Sequence, residues 1–382
     1  MDLIKHKFLW LPVLGFLALF LIDKLFFLPA VTNHTVHWQK IEPAFYESRR
    51  HLFEQLKREY PERAARGEKL GLILGTSRAG EFEQSDISGL IPGSYTYNFS
   101  APFSSPVFYQ YWIEQILAAG MQPAFVIFET DPVVLTDRAM EFSLQYSLDA
   151  SFVWRHTELF RKTPPNPWDA EGPGFSYDQA ESYAASALFG LSRYPIKLDS
   201  IIANNKKLDT MGFIVPFSTP IEYRDYIKKI MLMANEKKLG GIPNPMLAQK
   251  TPAEMSADAD EKAAIFLKDF EISPTQVIFV KNSLRLLADR KIPVVVYWPV
   301  STREYFAKAR EYKITTEVQE PLKNLIAEIN AAHPGAAIRL YDPGEDPRMT
   351  CRAFYDSHHL SGACFPELTR LIVENFPAEL RR

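Results

Sequence analysis

The apolar positions of this chain fall into three patterns, and their order predicts most of an architecture. The first is a nearly unbroken apolar run over residues 8–22, interrupted by Asp23 and Lys24 and resumed at Leu25, Phe26, Phe27 and Leu28. A run with no polar face suits lipid, although its uncharged part is shorter than the roughly 20 residues of a full span. The second pattern covers residues 43–66, where Phe45, Leu52, Phe53 and Leu56 recur at helical spacing among many charges and predict a stalk helix. The third is a series of short apolar runs at 70–74, 95–99, 123–129, 293–298 and 337–341, separated by helical stretches at 107–119, 273–290, 302–332 and 361–375. Short runs alternating with helices predict an α/β fold, a doubly wound and mostly parallel sheet buried on both faces.

Residues 140–265 break the alternation with aromatic clusters, Pro164-Pro165, Gly172-Pro173-Gly174 and a lysine-flanked stretch from 228 to 238. They predict an insertion beside or over one end of the sheet, a substrate wall or lid. The expected organisation is a cytosolic tip and signal anchor over 1–30, a stalk over 31–67, and an α/β domain over 68–376 that carries the insertion.

Composition narrows the function classes. With 382 residues, 47% of them hydrophobic, the chain can bury a sizeable core. Its 43 basic and 46 acidic residues are dispersed without a basic stripe, which argues against nucleic acid as a partner. Lys5, His6 and Lys7 precede the apolar run and no small-residue cleavage pattern follows it, so an uncleaved anchor is expected, single-pass in the cytoplasmic membrane, with the domain exported. Cys351 and Cys364 are the two cysteines. In an oxidising compartment they would close a loop of about 14 residues, worth roughly 3 kcal/mol; two separate buried thiols are the alternative.

The candidate chemistry sits at strand ends. Gly75-Thr76-Ser77-Arg78 follows the first strand, which is expected to feed a turn and then a helix, and Asp356-Ser357-His358-His359-Leu360 lies near the C-terminus. A serine hydroxyl becomes a nucleophile when a base takes its proton and a third group fixes that base's tautomer. Ser77, His359 and Asp356 fit those three roles, with His358 as a decoy. A helix cap at Thr76 or Ser77 is the plainer reading of the first motif, and a surface loop of the second. A metal site from His358, His359, Asp131 and Glu129 is disfavoured because adjacent histidines seldom aim at one ion. A phosphate-binding loop is excluded by the missing lysine and glycine spacing.

These residues carry a resemblance. Gly75-Thr76-Ser77 resembles the Gly-Asp-Ser block of SGNH hydrolases, and Asp356-x-x-His359 resembles their C-terminal Asp-x-x-His block. The anchor, the insertion and the His-Leu-Ser-Gly ending are similar to the exported branch that includes alginate O-acetyltransferases and the D-alanylation protein of teichoic acid synthesis. The whole layout also looks like that of an uncharacterised spirochaete family. The resemblance implies a serine-dependent acyltransferase or esterase without cofactor or metal, acting on an envelope glycan or lipid, with a membrane-bound acyl-transfer partner. Thr76 replaces the family's aspartate, and Glu129-Thr130-Asp131-Pro132 stands where an oxyanion asparagine is expected. Asn98 and the Ser77 and Ser100 amides are the substitute donors, while Asp131 and Arg78 are candidate substrate contacts. A catalytically degenerate binding or assembly protein is the alternative.

Overall fold

Each of the five short apolar runs forms a strand: β1 (Lys69–Leu74), β2 (Ser94–Asn98), β3 (Phe125–Glu129), β4 (Val294–Tyr297) and β5 (Ile338–Tyr341). All neighbours pair in parallel, in the order β2-β1-β3-β4-β5. The computed structural model describes residues 7–37, 40, 42–160, 162–205, 220–242 and 250–382; Lys5, His6 and parts of the 140–265 insertion lie outside them.

Alternation along the strands sorts their side chains into two cores. Leu70, Leu72, Leu74, Val126, Phe128, Val294 and Val296 enter the larger one, under helices Glu42–Ala65, Pro106–Ala118, Pro274–Asp289 and Ile314–Ala332. Ile73, Phe125, Ile127, Val295 and Tyr297 face the smaller one, covered by Gln84–Leu90 and Phe365–Glu374. The molecule is thus a helix–sheet–helix sandwich. Gly71 allows the Phe125 ring to lie against β1, because a Cβ there would sit 2.2 Å from it.

Three expectations change in detail. The helix read over 302–332 is two helices, Arg303–Glu311 and Ile314–Ala332, broken where Lys313 adopts φ 60°. The helix expected after the turn that follows β1 begins only at Gln84 and ends at Leu90, beyond the separate turn Ser77–Ala79. The segment read as a stalk is a layer of the domain: Tyr46, Leu52 and Leu56 are fully buried, and Phe53 packs on Trp112 at 5.6 Å between ring centroids. Apart from the buried Arg49, most of its charges lie on the other face, which is why its spacing alone suggested a stalk.

At the N-terminus, Lys7–Lys24 is a helix with most of its apolar side chains exposed, and the segment Trp10–Phe27 is apolar enough to cross a membrane. The described residues of 140–265 form mostly helices. The last, Pro252–Phe266, packs on Arg303–Glu311 at the sheet's C-terminal edge, where Lys308 pairs with Asp260.

Candidate functional site

In a sheet ordered 2-1-3-4-5, chain connections leave β1 and β3 in opposite directions, which opens a crevice beyond their C-terminal ends. The two sequence motifs meet there. Thr76 ends β1's turn in an extended conformation and caps the single 3-10 turn Ser77–Ala79, its hydroxyl accepting from the Arg78 amide at 3.3 Å. The cap reading is therefore right for Thr76, and Ser77 is left exposed with its hydroxyl free for chemistry.

Ser77 Oγ lies 2.9 Å from His359 Nε2. The other ring nitrogen, Nδ1, lies 2.9 and 3.0 Å from the two oxygens of Asp356. A carboxylate only accepts, so Nδ1 carries the hydrogen and Nε2 presents its lone pair to the serine. Asp356 also accepts from the amides of His358 and His359. Burial pushes the Asp356 carboxyl up, but hydrogen bonds from the two histidine side chains outweigh it and hold the group far below the carboxylate range. It is an anion at any working pH.

The loop carrying Asp356 and His359 is held on several sides. Cys351 and Cys364 form a disulfide with Cα atoms 5.4 Å apart. The Tyr355 amide donates to the His359 carbonyl at 2.9 Å, and the Ser361 amide to Ala353 at 2.9 Å. Ser357 donates its amide to Asp258 of the insertion and accepts from the Thr302 amide. His358, the decoy, turns inward against Phe266 and Tyr305, each ring 5.8 Å away. Burial lowers its pKa to about 4 despite Asp356, so it is neutral where His359 works.

The floor of the crevice is a buried ionic network that replaces the expected oxyanion asparagine. Glu129 is fully buried and accepts from the Thr76 amide at 2.9 Å, the Thr76 hydroxyl at 2.7 Å, Arg78 Nη2 at 2.9 Å and the Tyr297 hydroxyl at 3.3 Å. Burial drives this carboxyl upward and Arg78 opposes the shift. Four donors and no acceptor leave its oxygens no room for a proton, so it is ionised. Arg78 also binds Asp131, which accepts from the Val134 amide too. Burial works against the Arg78 charge, but the two carboxylates raise its pKa beyond ordinary arginine.

This network corrects several expected roles. Arg78 and Asp131 are 8% and 4% exposed and bound to each other, so neither is available to a substrate. Arg78 commits both carboxylates, Glu129 and Asp131, that would complete the metal set; among the described residues Asp356, His358 and His359 bring donor atoms within 4.8 Å of one another. The Ser100 amide donates to Asn98 Oδ1, and Asn98 Nδ2 gives one of its two hydrogens to the Ala79 carbonyl. Asn98 is itself 1% exposed, so of the expected oxyanion donors the Ser77 amide, on an exposed residue, remains.

Other contributors escaped the sequence reading. The Ser100 carbonyl accepts from Nε of Arg49, a fully buried guanidinium whose pKa burial lowers to about 9. The Tyr305 hydroxyl is buried without a partner and lies within electrostatic reach of Asp131 and Asp356. A charged or polar residue inside an otherwise apolar helix face was the only available signal for either. A cavity of about 430 Å³ lies beside Phe266, lined by Phe103, Val133 and Phe270 together with Asp137, Arg138 and Asp269. A groove of about 1150 Å³ at the ends of β4 and β5 is lined by Trp298, Phe306, Asp342, Arg352 and Phe354.

The chain belongs to a family described as a protein of unknown function (DUF1574), whose model matches residues 3–376. No curated protein matches it.

Proposed function

We propose that this member of the family is a membrane-anchored, SGNH-like serine acyltransferase or esterase whose domain works outside the cytoplasm on an acylated glycan or lipid of the cell envelope. One observation carries the reading: Ser77 Oγ, His359 Nε2, His359 Nδ1 and Asp356 form a continuous hydrogen-bonded relay with links of 2.9 Å, at the switch point of a parallel sheet. The relay suits acyl transfer. His359 takes the Ser77 proton as Oγ bonds to the donor's carbonyl carbon, and Asp356 stabilises the imidazolium. The imidazolium then protonates the leaving alkoxide as the acyl–oxygen bond breaks. An acceptor hydroxyl or water, deprotonated by the same ring, then bonds to the acyl carbon; the Ser77 Oγ–acyl bond breaks and Oγ takes the proton back from the ring. The Ser77 amide is the donor left to hold the oxyanion.

The disulfide supports an oxidising location. The wider groove, with its aromatic and charged lining, suits a sugar acceptor or a lipid headgroup. A membrane-bound acyl-transfer partner follows from the resemblance to envelope acyltransferases. The occupied Ser100 amide favours a second reading, a non-catalytic envelope-binding or assembly protein.

Reaction of the full chain with a fluorophosphonate probe separates the two readings. Covalent labelling is expected, abolished in Ser77→Ala and reduced at least about 10²-fold in His359→Ala. A native protein that resists the probe at every pH would leave the binding reading.

A further inference from the structure

We propose that residues 188–202 form a collar that rests in the membrane interface around the exit of the N-terminal helix, so that the lipid bilayer is the partner of this surface. The inference is independent of the serine reading. It starts from Asp23, the first charge after the apolar run. Its side chain is buried, and its carboxylate accepts from the Gly190 amide at 2.6 Å and the Leu191 amide at 2.9 Å. Gly190 is needed for that approach, because a Cβ there would lie 2.5 Å from the Asp23 carbonyl oxygen and 2.8 Å from Phe26.

Around this joint, Phe20 meets Phe189 edge-on at 6.1 Å and Phe27 meets Tyr194 at 6.4 Å. The Lys24 ammonium lies 4.1 Å from the Phe20 ring centre and 5.4 Å from that of Phe189. A second fastening follows, where Asn204 donates to the carbonyls of His34 and Val36 at 3.0 and 2.7 Å, on the far side of helix Pro29–Thr35. The segment between the two fastenings is thus fixed at the level where the apolar helix gives way to polar chain.

That segment turns its apolar residues outward. Leu188, Leu191, Ile196, Leu198 and Ile202 are exposed, Leu198 to 71%. Single exposed leucines are ordinary, but five within fifteen positions, tied to a membrane helix whose Ile22, Leu25 and Leu28 are also exposed, make a surface continuous with lipid-facing chain. Lys197 and Asp199 are exposed among them, while Arg193 folds over the rings of Tyr146 and Tyr194. A long basic side chain that reaches the headgroups from an apolar body suits an interfacial segment. Water on this face would solvate none of the five apolar groups; the headgroup–acyl boundary accepts both kinds.

The test uses the full chain in nanodiscs of phosphatidylethanolamine and phosphatidylglycerol, one copy per disc. Leu198→Cys and Ile202→Cys are each labelled with an environment-sensitive fluorophore; the two native cysteines are bonded to each other and do not react. Glu328→Cys, on helix Ile314–Ala332, is the aqueous reference. The collar predicts blue-shifted emission and several-fold weaker quenching by aqueous iodide at 198 and 202 than at 328. Water-like emission with full quenching at both positions would overturn it. A blue shift that arises only when two copies share a disc would also overturn it, assigning the surface to self-association.

Discussion

Glu129 ends a strand that is otherwise entirely apolar, where a carboxylate costs several kcal/mol to bury unless donors meet it. Here they come from Thr76 and Arg78, the two residues that flank Ser77, so the acid's own need for partners fixes the nucleophile's turn. Ser77, His359 and Asp356 were legible in the sequence because a short motif at a strand end leaves few roles for such side chains. The job of Glu129 was not, since a carboxylate at a strand end reads alike whether it meets a substrate or an arginine. His358 offers a measurable consequence. In the unfolded chain it takes a proton near pH 6.5, in the native one only near about 4. Between these values the unfolded state binds the proton and the native state does not. Its contribution to stability, fully present above about pH 6.5, is lost as pH falls toward about 4, by about 3 kcal/mol in all, and does not change further below. Denaturant titrations from pH 7 to 4 should show a loss smaller by that amount in His358→Gln. An equal loss in both proteins would show that His358 does not set it.

At the scale of elements, the five strands were readable to within two residues because each is a dense apolar run with a clear end. The helix break at Lys313 was not, because neither Tyr312 nor Lys313 announces a left-handed residue as glycine would. The helix after the first turn was expected but its bounds were not, because Gln84–Leu90 carries two serines and a glycine, poor helix formers that tertiary packing of Ile87 overrides. The loop over 351–364 owes its shape to cross-links more than to any element, with the disulfide at its base and Asp258 and Thr302 gripping Ser357. Replacing both cysteines by serine should lower the unfolding free energy by about 3 kcal/mol, the chain entropy returned by a loop of this length. The probe-labelling rate should fall with it. An unchanged denaturation midpoint would mean the noncovalent contacts suffice.

Across the whole molecule, sequence reasoning placed an anchor, a stalk and a domain in series, whereas the structure packs the second against the third and ties the first to an inserted segment. Long-range pairing is what local patterns cannot carry: the partner of Asp23 lies 167 residues away. Gly190→Val forces a side chain into that contact and should loosen it. Distances between spin labels at Leu28→Cys and Leu198→Cys, sharply distributed in the native protein, should broaden in the variant. An equally narrow distribution in both would show that the contact is not what aligns the domain.

The Asp23 contact makes the apolar helix a shaft with a keyed end. Each residue of an α-helix advances the chain by 1.5 Å and turns it by about 100°. The apolar residues upstream can therefore be exchanged freely for others of similar bulk, and even lengthened, because the key moves with the shaft. One residue added between Asp23 and Pro29 swings the carboxylate through more than a quarter turn relative to the chain that follows, and Gly190 loses its partner. What the anchor specifies is an angle as well as an address.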